Sequence, residues 1–291
     1  MGTLSDRIMS QSIPLDYFES SDAKGVEIHR IGDSPVYSCR NGFTRSLLID
    51  TDEGVAVFDS FTEPHARWLK EVIATYFDAK PVRWLVYSHH HLDHTRGGTL
   101  LEPIEVIAHE RVPMYLTDFD APTVAAVTTT VPGDAELQFG DVSVEAHYLG
   151  LSHTDNLLAF HLPEWRTAFT ADLGFVKRLP PFGFPDWYYP GYMRALDRTI
   201  AVDFAHLVPT HGDLGTHRDL VDFRTMMADV RESVEAAAAR YDLEVANGRN
   251  ARAIMREVMP GLRERWGTWA GFDSMMLPLF FRHMGGTYLG F

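Results

Sequence analysis

Four side chains able to bind a metal crowd into six residues at His89, His91, Asp93 and His94, within Ser88-His89-His90-His91-Leu92-Asp93-His94-Thr95-Arg96-Gly97-Gly98. His89 and His91 are two apart, so in extended backbone their imidazoles leave on the same side and can grip one ion. Asp93 and His94 follow at once. A closed structural zinc site takes four ligands, usually from separate pairs, and four packed on one loop would strain to surround a single ion. The spacing points instead to two neighbouring ions, each completed from elsewhere. A histidine run can also be a surface tract, an affinity tag or an adventitious chelator. Here, however, Val82-Arg83-Trp84-Leu85-Val86-Tyr87 reads as a short buried strand directly upstream, and Gly97-Gly98 follows. The C-terminal end of a strand is where open α/β layers place their chemistry.

Three residues further along also stand at the ends of predicted strands. His153 lies in Gly150-Leu151-Ser152-His153-Thr154-Asp155-Asn156, just before a strand; Asp172 closes a strand over 166–171; His211 closes one beginning at His206. Singly, such a His is commonly capped or solvated, and an Asp before Leu-Gly is commonly a turn former. With the first motif they make one ordered pattern.

That pattern, His-x-His-x-Asp-His, then a His after a Gly-containing loop, then an acidic residue, then a final His, closely resembles the signature of the metallo-β-lactamase-fold superfamily, over roughly residues 26–220. The resemblance implies an α/β fold, an αβ/βα four-layer sandwich with the site along one edge of two sheets. It implies His89, His91 and His153 on one ion, Asp93, His94 and His211 on a second, and Asp172 as the bridge. Two Zn2+ are the implied cofactor, with other divalent metals as alternatives. Oxygen-reducing diiron relatives carry Glu where His91 stands, so the imidazole favours zinc and hydrolysis over iron redox chemistry. Zinc β-lactamases commonly carry Cys or another non-bridging residue where Asp172 stands, and Asp172 looks like the glyoxalase II, lactonase and phosphodiesterase branches. The implied reaction is attack by a metal-bound hydroxide on an ester, lactone or thioester with an apolar part. Asp93 would orient that hydroxide or relay a proton, or serve only as a ligand. The alternatives are a β-lactam or amide hydrolase, a phosphodiesterase, a mononuclear-iron oxygenase, and a metal scaffold without turnover.

Specificity must come from the surrounding loops. After Asp172 comes Leu179-Pro180-Pro181-Phe182-Gly183-Phe184-Pro185-Asp186-Trp187-Tyr188-Tyr189-Pro190-Gly191-Tyr192, too irregular for a helical stripe. Phe182, Phe184, Trp187 and Tyr188 are candidate walls of an apolar substrate pocket, with plain packing as the alternative. Lys177 and Arg178 read as solvated cations, His90 as pointing away from the ions, His109, His147, His161, His206 and His217 as structural or surface residues, and Cys39 as core.

The elements that must hold these residues are legible in outline. Val26–Ser38 alternates as a strand; 46–50 and 55–59 frame the turn Thr51-Asp52-Glu53-Gly54 as a hairpin. Pro64–Phe77 carries Pro in its first turn and Trp68, Leu69, Val72, Ile73 and Tyr76 at helical spacing. Ile104–Ala108 is a further strand, and Arg111–Val131 an irregular insertion that would hang over the site as a lid or have no role. Leu137–Leu149 reads as two strands around Gly140-Asp141, and 156–162 with 166–170 as another hairpin. Helices are predicted over Tyr192–Val202, Leu220–Tyr241 and 249–266, the last split at Pro260-Gly261. The apolar end, Leu277–Phe291, should be buried against the body or a second subunit. The reading divides the chain into an arm over 1–24, a catalytic domain over 25–220, and a C-terminal helical extension over 221–291 packed on it.

With 291 residues, 45% hydrophobic, the chain can bury a sizeable core. Its formal charge of -14 disfavours a nucleic-acid groove and with it phosphodiester work. One cysteine excludes an internal disulfide and any cysteine-rich zinc module, which fits a reducing compartment. No secretory signal is visible at the N-terminus, and no segment approaches the roughly 20 apolar residues that span a bilayer. The expectation is a cytoplasmic enzyme for a small-molecule substrate, without nucleic-acid or membrane partners, with a homodimer left open.

Overall fold

The computed structural model describes residues 25–181, 184, 186–241 and 248–290; the predicted arm over 1–24 and Phe182 lie outside the described residues. Two compact units emerge, one from Val26–Val176 with Asp186–Val221, the other from the described residues of Lys177–Pro185 and Asp222–Phe291.

The first unit holds two sheets. A seven-stranded sheet runs in chain order through β1 (Val26–Arg30), β2 (Val36–Asn41), β3 (Thr44–Asp50), β4 (Val55–Phe58), β5 (Val82–Val86), β6 (Glu105–His109) and β7 (Thr129–Val131). It is antiparallel as far as β4 and parallel from there onward. The five-stranded sheet comprises β8 (Ala135–Phe139), β9 (Val142–Tyr148), β10 (Leu158–Leu162), β11 (Thr167–Ala171) and β12 (His206–Pro209), with only β11 and β12 parallel. The residues of β4, β10 and β11 are buried throughout, as expected of strands covered on both faces.

Aromatic rings lock the sheets face to face. Phe58 of β4 meets Phe139, Phe160 and Phe169 at 5.6, 4.9 and 5.9 Å, and Trp84 of β5 meets Phe139 at 5.4 Å. Outside the first sheet lies helix α1 (Glu63–Tyr76), entered through Pro64 and burying Ala66, Leu69, Val72 and Ile73 against Cys39, Leu48, Val57 and Leu85. Two short helices, α2 (Leu92–Thr95) and α3 (Val112–Leu116), follow β5 and β6. Outside the second sheet lies α4 (Tyr189–Ile200), whose Arg198 donates to the Tyr148 carbonyl at 2.7 Å. Helix, sheet, sheet, helix is the αβ/βα sandwich expected from the sequence.

The second unit contains most of α5 (His217–Ala238) together with α6 (Gly248–Trp266) and α7 (Phe272–Leu289). Asp229 on α5 accepts from Arg265 Nε at 2.6 Å and Trp266 Nε1 at 2.6 Å, tying α5 to α6. Three expectations change here. α6 is continuous through Pro260: the proline removes one backbone donor, and Ile254, Val258 and Leu262, buried on either side, hold the helix together. α7 buries Met275, Met276, Leu279 and Phe280 but leaves Leu277, Phe281, Tyr288 and Leu289 exposed, so the apolar end is only half covered. Arg178 is buried, not solvated, and its segment pairs with Ala270 through Leu179 N and the Lys177 carbonyl, each at 3.0 Å. Among the described residues, no helix is long and apolar enough to cross a membrane.

Candidate metal centre

Parallel pairing brings strand ends together, and every candidate ligand follows one of them or the neighbouring loop. Ser88–His91 follow β5, Asp172 follows β11, His211 follows β12, and His153 lies in the β9–β10 loop. Backbone hydrogen bonds stitch the two sheets along this edge: Leu158 N to the Ser88 carbonyl at 2.8 Å, Arg45 N to the Thr210 carbonyl at 2.8 Å, and Gly212 N to the Phe43 carbonyl at 3.0 Å. The buried guanidinium of Arg45 adds a bond to the Gly212 carbonyl at 3.1 Å. Asp59 and Ala171, at the ends of β4 and β11, take positive φ of 59° and 48°. Left-handed backbone at non-glycine residues is uncommon and gathers at functional sites.

Seven side chains converge in two groups, His89, His91, His153 and Asp172 in one and Asp93, His94 and His211 in the other, their donor atoms within 4.8 Å of one another in each. In the first group His89 Nε2 lies 3.0 Å from His91 Nδ1, which lies 3.2 Å from His153 Nε2. In the second, His94 Nε2 and His211 Nε2 lie 3.6 and 3.9 Å from Asp93 Oδ2. Asp172 stands between them. Its Oδ1 faces His94 Nε2 at 3.5 Å and His211 Nε2 at 3.4 Å, while its Oδ2 faces His153 Nε2 at 3.4 Å.

The outer nitrogens settle the tautomers. Asp59 is fully buried; its Oδ2 receives His94 Nδ1 at 3.0 Å and the Ser88 hydroxyl at 2.7 Å, and its Oδ1 the Ser88 N–H at 2.8 Å. With its proton given to Asp59, the Ser88 hydroxyl accepts from His89 Nδ1 at 2.9 Å. His91 Nε2 donates to Asp186 Oδ2 at 2.7 Å. Nε2 of His89 and Nδ1 of His91 are thereby left as lone pairs turned inward, and Nε2 of His94 would join them once an ion displaced its second proton, the arrangement outer partners impose on ligating imidazoles.

These donors fit divalent ions. Two lone pairs 3.0 Å apart repel unless a cation lies between them. A tetrahedral site with Zn–N bonds near 2.0–2.1 Å has ligand-to-ligand edges of about 3.3 Å, close to the separations found here. Buried His94 Nε2 and His211 Nδ1 have no hydrogen-bond partner. The electrostatics agree. Burial, then the imidazoles of His94, His91 and His153, hold His89 well below the usual histidine range; burial pushes His153 down to about 4 and lowers His211. Burial opposes charge on His94 too, but the Asp172 and Asp93 carboxylates lift it well above 6.5. Burial would raise Asp172, yet His211 and His94 hold it well below the usual carboxylate range.

Around the centre, Thr210 donates its hydroxyl to Asp172 Oδ1, and the buried Tyr192 hydroxyl donates to the Asp172 carbonyl at 3.1 Å. His90 turns aside, hydrogen-bonded to Asn156 and stacked on Tyr115 at 4.2 Å. Of the candidate pocket residues, Trp187 is buried and meets Tyr189 and Tyr192 edge-on at 5.3 and 5.4 Å. Tyr188 is half-buried, and its N–H donates to the Ser152 carbonyl at 2.8 Å. Phe184 is buried and falls in the second unit. Gly191 approaches Leu151 so closely that an added Cβ would collide with its carbonyl. Sequence reasoning missed Asp59, although it directly follows the buried run Val55–Phe58, the same strand-end position that marked Asp172. It also missed the roles of Asp186, Thr210 and Arg45, whose partners lie far away in sequence.

A family model, the metallo-beta-lactamase superfamily, matches residues 39–211. The alpha subunit of 2,4-dinitroanisole O-demethylase from Nocardioides sp. (strain JS1661) is 27% identical over 215 residues, covering 72% of this chain and 65% of that subunit. The beta subunit of the same enzyme is 28% identical over 174 residues, covering 58% of this chain and 54% of that one. The chain therefore spans less than two thirds of the length of either relative. Among solved structures, the metallo-beta-lactamase from Pontibacter korlensis aligns with a TM-score of 0.59 at 20% identity, covering 69% of this chain and 97% of that one. The metallo-beta-lactamase from Hirschia baltica aligns at 0.57 with 14% identity, covering 69% and 97%. At these identities the likeness is one of fold.

Proposed function

This chain belongs to the metallo-beta-lactamase superfamily, and we propose that within it the chain is a dinuclear zinc-dependent hydrolase acting on an ester, lactone or thioester with an apolar part. The observation that carries the reading is Asp172, whose two carboxylate oxygens face separate donor groups, one toward His153 and the other toward His94 and His211. His89, His91 and His153 would hold one ion, Asp93, His94 and His211 the other, with Asp172 between. When bound, such a pair supplies Lewis acidity and lowers the pKa of water to about 7.

The chain's own residues do the rest. Asp59, through Ser88 and His94, and Asp186, through His91, hold the imidazoles with lone pairs inward. Thr210 and Tyr192 hold Asp172 at both its carboxylate and its carbonyl. Asp93, the most exposed of the seven, would orient a nucleophile or move a proton, or serve only as a ligand. Trp187 and Tyr188 would contact the apolar part of the substrate.

The similarity to O-demethylase subunits favours a second substrate class, an activated methyl aryl ether. Water would cleave it to a phenol and methanol with no change of oxidation state, so the same centre serves both classes. Because both relatives are subunits, we also propose assembly with a second copy or a related chain, which sedimentation analysis would detect.

The test is a panel of aryl esters, lactones, thioesters, β-lactams and a nitro-substituted methyl aryl ether on metal-replete protein, with elemental analysis alongside. At least two zinc per chain and turnover abolished by Asp172→Ala are expected. One iron per chain, with oxygen consumed during turnover, would refute the hydrolase. Asp93→Asn divides that residue's roles: full metal occupancy with near-normal turnover removes the proton transfer.

A further inference from the structure

A second gathering of metal-binding side chains lies on the opposite face of the five-stranded sheet. Val142, Val144 and Ala146 of β9 point into the core, so Glu145 and His147 point outward. In the β9–β10 ladder Glu145 lies directly opposite His161, and His147 opposite Ala159. Two ligands two apart on one strand, with a third opposite the first, place three side chains on one patch of sheet within reach of a single ion.

The side chains use that placement. Glu145 Oε2 lies 3.0 Å from His161 Nδ1 and 3.4 Å from His147 Nε2, and donor atoms from all three fall within 4.8 Å of one another. His161 Nε2 donates to the Asp203 carbonyl at 3.1 Å, the kind of outer bond that fixes a ligating imidazole. With Nε2 protonated, His161 Nδ1 presents a lone pair to a carboxylate oxygen, a repulsive contact unless a proton or a metal ion lies between. His147 Nε2 is buried with no hydrogen-bond partner. The Arg198 guanidinium is paired with Asp134, so its charge is offset beside the patch. A small pocket against α4 is lined by His147, His161, Thr199 and Val202 among others, so two of the three donors border open space.

We propose that Glu145, His147 and His161 form a binding site for a divalent transition-metal ion of the zinc class, separate from the seven-residue centre. Two imidazoles and one carboxylate suit zinc, and three protein ligands leave a coordination position open. The site clasps β9 to β10 and, through Asp203, to the chain after α4. Its ligands are not those of the main centre, so its occupancy is independent of the proposed hydrolase.

The test uses the full chain, stripped with chelator and titrated with zinc, with cobalt(II) absorption as the second readout. In a background with both halves of the main centre disabled by His89→Ala, His94→Ala, Asp172→Ala and His211→Ala, one zinc equivalent is expected to remain and to vanish on adding His161→Gln. In the wild type, the exposed substitution Glu145→Gln should remove one equivalent while leaving the melting temperature of the metal-free chain unchanged. Zinc uptake unaffected by either His161→Gln or Glu145→Gln, in chains whose circular dichroism remains native, would overturn the proposal and leave the three residues as a His–Glu hydrogen-bond cluster.

Discussion

Asp59→Asn isolates the influence of one buried carboxylate on both halves of the metal centre. Asn tolerates left-handed backbone about as well as Asp, so the φ of 59° at this position is kept and the substitution changes chemistry more than shape. Three donors point at this side chain: His94 Nδ1–H, the Ser88 hydroxyl and the Ser88 N–H. An amide offers one oxygen and one NH2, so in either orientation a donor faces a donor. If the NH2 replaces Oδ2, His94 relieves the conflict by moving its proton to Nε2, the atom that must face the ion. A disturbed outer partner of a metal-ligating His typically costs 10–100-fold in affinity, about 1.4–2.7 kcal/mol. The larger loss should fall on the ion at His94, because His89 feels the change only through Ser88. Competition with a chromophoric chelator measures the two affinities, and Ser88→Ala, which breaks only the His89 arm, provides the comparison. Two unchanged zinc affinities in Asp59→Asn would show that the carboxylate does not set the tautomers.

Other outcomes follow from the same geometry. Since His94 is lifted well above 6.5 in the metal-free site, zinc must displace its proton near neutral pH. Affinity should therefore rise with pH across neutrality, and calorimetry in buffers of differing ionisation enthalpy should detect the released proton; a pH-independent affinity would contradict the assignment. His65, buried between the Thr44 and Ser46 hydroxyls, is pushed down to about 3 by burial. Its folded pKa is below its unfolded one, so its contribution to stability is full above about 6.5 and lost as pH falls toward 3. Urea unfolding at pH 7 and pH 4 should show that decline, reduced in a folded His65→Gln variant. Trp187→Ala should cost about 3–5 kcal/mol, as buried Trp truncations do, and should also shift relative rates across the substrate panel. A stability loss with an unaltered substrate profile would reduce Trp187 to packing.

The candidate ligands were legible in the sequence because most stand beside the end of an apolar strand and their order is distinctive. Local pattern also located the hairpin, the helix after Thr62 and most strands, since alternation and buried runs are written in neighbouring residues. What stayed hidden depends on closure in three dimensions. Asp59 is 35 positions from His94, and Asp186 is 95 from His91, so neither pairing leaves a trace in local sequence. Pro260 looked like a break because propensity counts the missing N–H and not the packing around it. His147 and His161 looked ordinary because their alignment exists only through the β9–β10 register.

Gly191, pressed against the Leu151 carbonyl, and Tyr188, bonded to Ser152, join the aromatic loop to the turn that carries His153. Any change that reshapes this loop for a new substrate acts on a ligand turn only two residues away. Divergence in selectivity is thus constrained: variants that keep Gly191 and the buried Trp187 can explore new side chains at the half-buried position 188 with the least disturbance of the metal centre. Variants that replace Gly191 would alter substrate choice and metal retention together, and libraries built on this chain should hold that one position fixed.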